Sequence, residues 1–425
     1  MGTDHSHADA ASPVASSLPV PPIGQRAGTW TVPDTGLHSR RARTAGTGRY
    51  HAAVPARLAE SDWRVPSDLA ADVADAESAL VALDRDAATS LPQTGGASPS
   101  RGPVLGPMSA ILLRTESASS SQIEDLTVGA RQLALAELQE SASANARVVV
   151  ANVRAMESAI ALSRRLDVGA VLTMQHALLG EDAVHGRSAG GLREQLVWIG
   201  RNGHSPVGAV FVAPEPADVP AAMEDLMAFV GREDLPVLLH AALAHAQFET
   251  IHPFTDGNGR TGRALVHAML HGKGLLSTLA PPISAGLLRE LEGYTDSLTA
   301  FRAGDARPVV ERFAQAARYA AATGRQLIGS LSAQLDGDRR RLGGLRPQAA
   351  GWRLLPLLVG QPVLNAAYVR SALGTSDTTA QRAISQLADA GILTERTGAS
   401  RNRVWQHSGI LDILDEYAEA IRRPG

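Results

Sequence analysis

The sequence predicts a mostly α-helical protein, interrupted by one β-hairpin and closed by a small mixed module at its C-terminus. Three observations carry this. Apolar residues recur at spacings of three and four along most of the 425 residues. Alanine use is heavy and aromatics make up only 4% of the chain, which suits helices packed through small side chains. β-favouring runs occur at only two places, Leu196 to Val212 and Ile392 to Trp405.

In chain order, residues 1–48 are rich in Ala, Ser, Gly, Pro and Thr without periodicity. Such a segment buries too little apolar surface to offset its ordering entropy, so a mobile tail is expected. Residues 49–135 form an N-terminal helical region, in which Leu69, Val73, Ala76, Leu80 and Leu83 mark one face and a Pro/Gly/Ser stretch, Leu91 to Pro107, interrupts the pattern. Residues 136–325 form the core. Within it, Leu196-Val197-Trp198-Ile199-Gly200 and Val210-Phe211-Val212 flank Asn202-Gly203 and predict a hairpin, and Pro236 to Ile251 predicts an alanine-rich helix. Residues 326–350, with Gly337, Arg339 to Arg341 and Gly343-Gly344, suggest a linker. Residues 351–425 then read as a winged helix: a second helix at Asn365 to Leu373, a third at Thr378 to Ala390 and a wing at Thr394 to Trp405.

Composition excludes several chemistries. Lys plus Arg number 40 against 43 acidic residues, a net charge of −3 that gives no bulk signal for nucleic acid or an anionic membrane. Cysteine is absent, which removes thiol nucleophiles, disulfides and cysteine-ligated metals and fits a reducing cytoplasm. The single lysine, Lys273, lies in Gly272-Lys273-Gly274 with His267 where a Walker loop needs its first glycine, so a P-loop is not expected. No apolar run approaches the ~18 residues of a membrane span. The N-terminus lacks the basic and apolar regions of a signal peptide, and although Met1 to Ser6 fits a myristoylation pattern, no polybasic second signal follows. A cytoplasmic protein without membrane contact is expected.

The most informative string is His252-Pro253-Phe254-Thr255-Asp256-Gly257-Asn258-Gly259-Arg260-Thr261-Gly262-Arg263. Gly257 to Gly262 formally fits a dinucleotide fingerprint, but a helix pattern and a proline precede it where a strand is required. A metal-hydrolase site built on His245, His252, His267 and His271 lacks any ligand spacing, and Pro253 prevents His252 and Asp256 from sharing one helix face. A phosphate loop entering a helix N-terminus accounts for more of the string. Glycines let backbone N–H groups approach an anion, and the helix from Arg260 adds unsatisfied donors. Arg260 and Arg263 lie over one turn and can clamp a polyphosphate, Asp256 offers a hard oxygen to Mg²⁺, and His252 can accept a proton from an attacking hydroxyl.

This string resembles the signature of the Fic (filamentation induced by cAMP) family, H-P-F-x-[DE]-G-N-G-R-x-x-R, at every defined position. The resemblance implies a Fic-type helical bundle and transfer of AMP from ATP to a Ser, Thr or Tyr hydroxyl of a target protein, with pyrophosphate leaving. His252 would then be the base and Asp256 the ligand of Mg²⁺ or Mn²⁺. Gly257, Asn258 and Gly259 would form an anion hole, Arg260 and Arg263 would hold the β- and γ-phosphates, and Phe254 would anchor the loop. The intact Gly-Asn-Gly is unlike the related Doc kinases and favours adenylylation over phosphorylation. The hairpin is similar to the Fic flap, in which Val197, Trp198, Ile199 and Gly200 would align a target segment.

Ser120 and Glu124 resemble the family's inhibitory pattern [ST]-x-x-x-E-[GN], with Asp125 in place of the last residue. The resemblance implies an inhibitory helix near 119–125 in which Glu124 pairs with Arg263 and displaces the γ-phosphate's partner. Read without it, Ser119 to Ser121 is a capping stretch and Glu124 a solvated carboxylate. Self-modification and a homodimer are further expectations. The winged helix could bind DNA, but its eight arginines face seven acidic residues, a weak basic balance. Two alternatives stand beside the transferase: a DNA-binding regulator whose Fic core senses nucleotide, and a de-adenylylating enzyme in which Glu124 orients water.

Overall fold

The computed structural model describes residues 17–34, 37, 39–90, 106–141, 143–200, 202–396 and 403–421. Its first element corrects the expected tail. Strand β1 (Gly24–Trp30) pairs antiparallel with β2 (Gly48–Val54), Gly24 opposite Val54 and Trp30 opposite Gly48, through the short helix α1 (Arg40–Gly46). Leu18, Val20 and Val32 are buried. The backbone is satisfied at long range: Val20 N–H donates to Gly304 (3.1 Å), Ile23 N–H to Arg302 (3.0 Å), and Leu18 accepts from Ala306 N–H (2.8 Å). The compositional argument weighs only a segment's own apolar content, and here the partners come from elsewhere in the chain. Residues 1–16, with the myristoylation pattern, lie outside the described residues.

The helical body begins later than the periodicity suggests, since Tyr50 belongs to β2. It comprises α2 (Ser67–Ser90), α3 (Pro107–Gln122), α4 (Ala130–Glu137), α5 (Ala144–Leu162) and α6 (Val168–Leu179), then α7 (Val219–Val230) and α8 (Val237–Ile251). It continues with α9 (Asn258–Gly272), α10 (Ile283–Arg289), α11 (Leu291–Ala303) and α12 (Arg307–Arg341). Most of the Leu91 to Pro107 stretch lies outside the described residues, but its end starts α3, with Pro107 in the first turn where its missing N–H costs nothing. Helix α12 overruns the expected linker by 16 residues, from 326 to 341. Leu327, Ile328, Leu331 and Leu335 continue its buried stripe, a signal masked by Gly329 among them and by Gly337 and Arg339 to Arg341 just beyond. Only residues 342–349 connect it to the C-terminal module.

Helices α8 and α9 form the centre. Every residue of α8 after Val237 is buried, and its alanines let α9 approach closely. A Cβ at Gly262 would lie 2.9 Å from Phe248 Cδ1 and 3.1 Å from both Glu249 Oε1 and His245 Nδ1. The histidines of this core act locally: His245 bonds Tyr294 Oη (2.7 Å), and His240 and His271 bond the carbonyls of Phe229 and Leu279.

Between α6 and α7 the hairpin is present as β3 (Trp198–Ile199) and β4 (Phe211–Val212). The C-terminal module runs α13 (Ala350–Leu354), α14 (Leu357–Gly360), β5 (Val363–Asn365), α15 (Ala366–Leu373), α16 (Asp377–Asp389), β6 (Thr394–Glu395), β7 (Val404–Gln406) and α17 (Ser408–Ile421). Its strands form one antiparallel sheet of order β5-β7-β6. Asn365 and Ser376 cap α15 and α16, and Gly374 ends α15 in the left-handed region. The tip of the expected wing, 397–402, lies outside the described residues. The module is joined to the body by polar contacts as well as apolar ones. Buried His407 bonds Asp338 of α12 (2.7 Å), and Gln361 donates to Ala134 of α4 (2.9 Å). No helix among the described residues is long and apolar enough to cross a membrane.

Candidate active site

The loop from His252 to Gly257 joins two packed helices, and its shape is set residue by residue. His252 closes α8 with φ 50° and ψ 61°, its N–H still bonded to Phe248 (2.8 Å). A non-glycine residue in the left-handed region is uncommon and often functional. Pro253 then ends the helix, and Phe254 is fully buried, 6.2 Å from Phe248 between ring centroids. Asn258 clips the loop: its Oδ1 accepts from Phe254 N–H and its Nδ2 donates to Phe254 O, both 2.9 Å. Its side chain is therefore committed to the loop, and only its backbone N–H is left for an anion. Gly257 has φ 76°, and a Cβ there would sit 2.8 Å from Leu178 Cδ2. Gln175 steadies the same loop from α6, donating to Asp256 O (3.4 Å) and accepting from Gly190 N–H.

The two arginines of the α9 N-terminus point at one carboxylate. Arg263, only 3% exposed, donates Nε to Ser120 Oγ (2.8 Å) and Nη2 to both Ser120 O (2.7 Å) and Glu124 Oε1 (3.0 Å). Arg260 Nε lies 2.6 Å from Glu124 Oε2, and its Nη2 lies 3.3 Å from Asp256 Oδ2. Burial works against the charge of Arg263, but Glu124 and the other acidic groups around it outweigh burial and hold its pKa above the ordinary arginine value. The approach is tight. A Cβ at Gly259 would lie 2.7 Å from Glu124 Oε1 and 2.8 Å from Arg263 Nη1.

Glu124 reaches this position because α3 ends just before it. Ser117, Ser119, Ser120 and Ser121 are all buried, and Asn152 of α5 donates to Ser117 O (2.9 Å) and Ser121 Oγ (3.2 Å). Leu126 N–H returns to Ser121 O (3.1 Å) across Asp125, which has φ 63°. Position 125 is thus a left-handed helix terminus, which explains why a Gly or Asn pattern belongs there; aspartate tolerates it better than most residues. Asp125→Gly should stabilise the fold by up to about 1 kcal/mol, read as a higher urea midpoint at unchanged slope.

His252 sits in a pocket of buried charge. Its Nδ1 is 3.8 Å from Glu249 Oε2. Burial, reinforced by Arg302 and Arg193, pulls the imidazole down to about 4, and burial pushes Glu249 up to about 7 against the pull of Arg263 and Arg302. Arg193 binds the loop to the flap: Nε to His252 O (2.8 Å), Nη1 to Gln195 O (2.9 Å) and Nη2 to Pro214 O (2.6 Å). Arg302 of α11 donates to Glu249 O (3.1 Å) and stacks on Phe211 of the flap, its guanidinium carbon 3.8 Å from the ring centroid. Sequence reading does not single out Arg302, because its partners are about fifty residues or more away.

The flap itself is short. Val197 O accepts from Ala213 N–H (3.0 Å), Trp198 Nε1 donates to Asn202 O (2.7 Å), and Gly200 turns with a would-be Cβ 3.0 Å from Ala209 Cα. Ile199 and Val210 are 46% and 89% exposed. A two-stranded ribbon is marginal alone, and the N-terminal hairpin supplies its support. Trp30 packs edge-on against Trp198 (5.3 Å) and donates to His204 O (3.0 Å), Tyr50 Oη donates to Glu215 (2.7 Å), and Ser205 Oγ donates to Gly46 O (2.5 Å).

Residues 165–270 match the Fic/DOC family. The chain is 29% identical over 172 residues to the protein adenylyltransferase fic-1 of Caenorhabditis elegans, covering 40% of this chain and 30% of that protein. It is 41% identical over 71 residues to a probable protein adenylyltransferase of Aquifex aeolicus, covering 16% of this chain and 22% of the other. Among solved structures, a Fic family protein from Desulfovibrio desulfuricans G20 aligns with a TM-score of 0.50 and 21% identity over 81% of this chain and 97% of that one, a likeness of fold. The likeness to the Fic/DOC family lies in residues 165–270, a stretch that contains the whole of the His252 to Arg263 string. The chain spans less than a third of the length of the curated relatives named here.

Proposed function

We propose that this chain is an autoinhibited protein adenylyltransferase, moving AMP from ATP to a Ser, Thr or Tyr hydroxyl of a target protein. The observation that carries the reading is Glu124 held between Arg260 and Arg263 at the N-terminus of α9, with His252 one loop away. In the reaction, His252 takes the hydroxyl proton, the oxygen forms a bond to the α-phosphorus, and the bond to the β-phosphate oxygen breaks to release pyrophosphate. The backbone N–H groups from Gly257 to Gly259 and the positive end of α9 face the phosphates, and the two arginines neutralise charge that builds on the leaving group. Asp256, partly exposed and shared only loosely with Arg260, fits a hard-cation ligand. Mg²⁺ or Mn²⁺ held there would neutralise phosphate charge.

In this structure Glu124 occupies the guanidinium groups that a γ-phosphate needs, so ATP would bind with its phosphates displaced. ATP labelled on the α-phosphate should transfer its label to protein, whereas γ-labelled ATP should not; the reverse result would assign a kinase. The pH profile follows from His252. With its pKa held near 4, the base is neutral and competent throughout the usual range. The acid limb of kcat/KM should therefore fall near pH 4 and not near the ordinary histidine value of about 6.5.

The order of helices and strands in the C-terminal module supports the winged-helix reading. DNA contact draws less support, because Arg370 and Arg403 are already paired with Asp377 and Glu395. The module's packing on α3, α4 and α12 instead favours a role in holding the inhibitory helix.

A further inference from the structure

Glu116 lies on α3 two turns before Glu124, and nothing in the proposed reaction uses it. It is 1% exposed. A carboxylate at that depth is costly unless it is held, and two other helices hold it. Ser284, at the start of α10, donates its N–H to Oε2 (2.8 Å) and its hydroxyl to Oε1 (2.5 Å), and His267 Nε2 of α9 lies 3.0 Å from Oε1. Ser284 and His267 are buried as deeply. Glu116, Ser120 and Glu124 follow one another at steps of four residues, so they share one face of α3 and its closing turn. Their partners on α9 run the opposite way: His267 for Glu116, Arg263 for Ser120, and Arg263 with Arg260 for Glu124. Away from that face α3 is less tightly covered. Thr115, Ala118, Ser119 and Gln122 line a cavity of about 70 Å³, together with Leu133 of α4 and Tyr417 of α17.

A helix carries position along its axis, and the two glutamates are separated by only about 12 Å of rise. Where Glu116 is fixed, Glu124 is fixed with it. For a γ-phosphate to take Arg260 and Arg263, the end of α3 must move off α9, and the cavity gives its far side room to do so. We propose that Glu116 is the positioning residue of the inhibitory segment: locked to Ser284 and His267, it sets how far Glu124 reaches between the two arginines, and a weakened lock lets the end of α3 withdraw towards α4 and α17. This rests on the reading of Glu124 as the competitor of the γ-phosphate.

The test uses Glu116→Gln in the full chain. The substitution keeps the side chain's shape but turns one acceptor oxygen into a donor, so the two Ser284 donors can no longer both be met. Incorporation of AMP from ATP with Mg²⁺ should rise about fivefold over the wild type, the low end of an ordinary coupling between two states. In a Glu124→Gly background the same substitution should change nothing, because no inhibitory carboxylate is left to position. ATP with Mg²⁺ should also raise the Tm of Glu116→Gln more than that of the wild type, a readout that needs no turnover. Ser284→Ala removes only the hydroxyl donor; it should act in the same direction by less, and it carries the test if Glu116→Gln does not fold. Transfer and an ATP-induced rise in Tm equal to those of the wild type would overturn the proposal. So would a change of the same size with and without Glu124, which would make Glu116 a packing contact. If no variant transfers AMP, Glu124→Gly included, while the ATP-induced rise keeps this order, the transferase reading fails and the positioning role stands.

Discussion

Glu124→Gly is expected to raise AMP incorporation roughly 5- to 150-fold, the range of an ordinary coupling free energy between two competing states. The carboxylate lies 3.0 Å from Arg263 Nη2 and 2.6 Å from Arg260 Nε, so its removal frees both guanidinium groups for the phosphates at once. The same substitution should cost stability. Arg263 is almost fully buried and would keep its two bonds to Ser120 but lose its carboxylate, and breaking a buried pair from one side costs on the order of 3 kcal/mol. ATP with Mg²⁺ should restore much of that loss in the variant, because a ligand that binds only the folded state stabilises it by mass action. Thermal unfolding with and without ATP therefore reads the competition independently of turnover. A larger ATP-induced rise in Tm for Glu124→Gly than for the wild type is the expected sign.

His252→Ala should lower transfer by about 10²- to 10⁴-fold, the usual contribution of a positioned base. It should leave ATP-induced stabilisation intact, since the proposed phosphate contacts come from α9 and its arginines and not from the imidazole. The fold should also survive. The Nδ1 atom has no hydrogen-bond partner in the structure, and the loop is held by Phe254, Asn258 and Arg193. Combining His252→Ala with Glu124→Gly should give a protein that binds ATP well and transfers 10²- to 10⁴-fold less than Glu124→Gly alone, on the order of a positioned base's contribution.

The loop proposed to carry the chemistry stands out in the sequence because its groups fall within twelve consecutive residues and each residue type has a direct physical use. Glu124 was legible only through a motif, and the structure supplies the reason for the motif's last position: Asp125 occupies a left-handed helix end. Asn258 shows the limit of such reading. A residue type suited to an anion hole spends its side chain on the backbone of Phe254. The segment leading into the N-terminal hairpin, Leu18 to Ile23, was hidden because its partners, at Arg302, Gly304 and Ala306, are far along the chain. The continuation of α12 was hidden because Gly329 and Gly337 punctuate a stripe that packing preserves. Arg193, through the carbonyls of His252 and Pro214, and Arg302, through Glu249 O and the Phe211 ring, tie the flap to the end of α8, contacts that leave no pattern in sequence.

Under the proposed function, Glu124 and the γ-phosphate compete for the same arginines in an adenylyl-transferring site. Intact-mass spectrometry of the full chain, incubated with ATP and Mg²⁺ and with a lysate as target source, tests it most directly. Adducts of one adenylyl group on the protein or on lysate targets should be abundant with Glu124→Gly, scarce with the wild type and about 10²-fold or more below the wild type with His252→Ala. Equal adduct in wild type and Glu124→Gly would contradict the inhibitory role of Glu124, and a phosphoryl adduct in place of the adenylyl one would contradict the transferase itself.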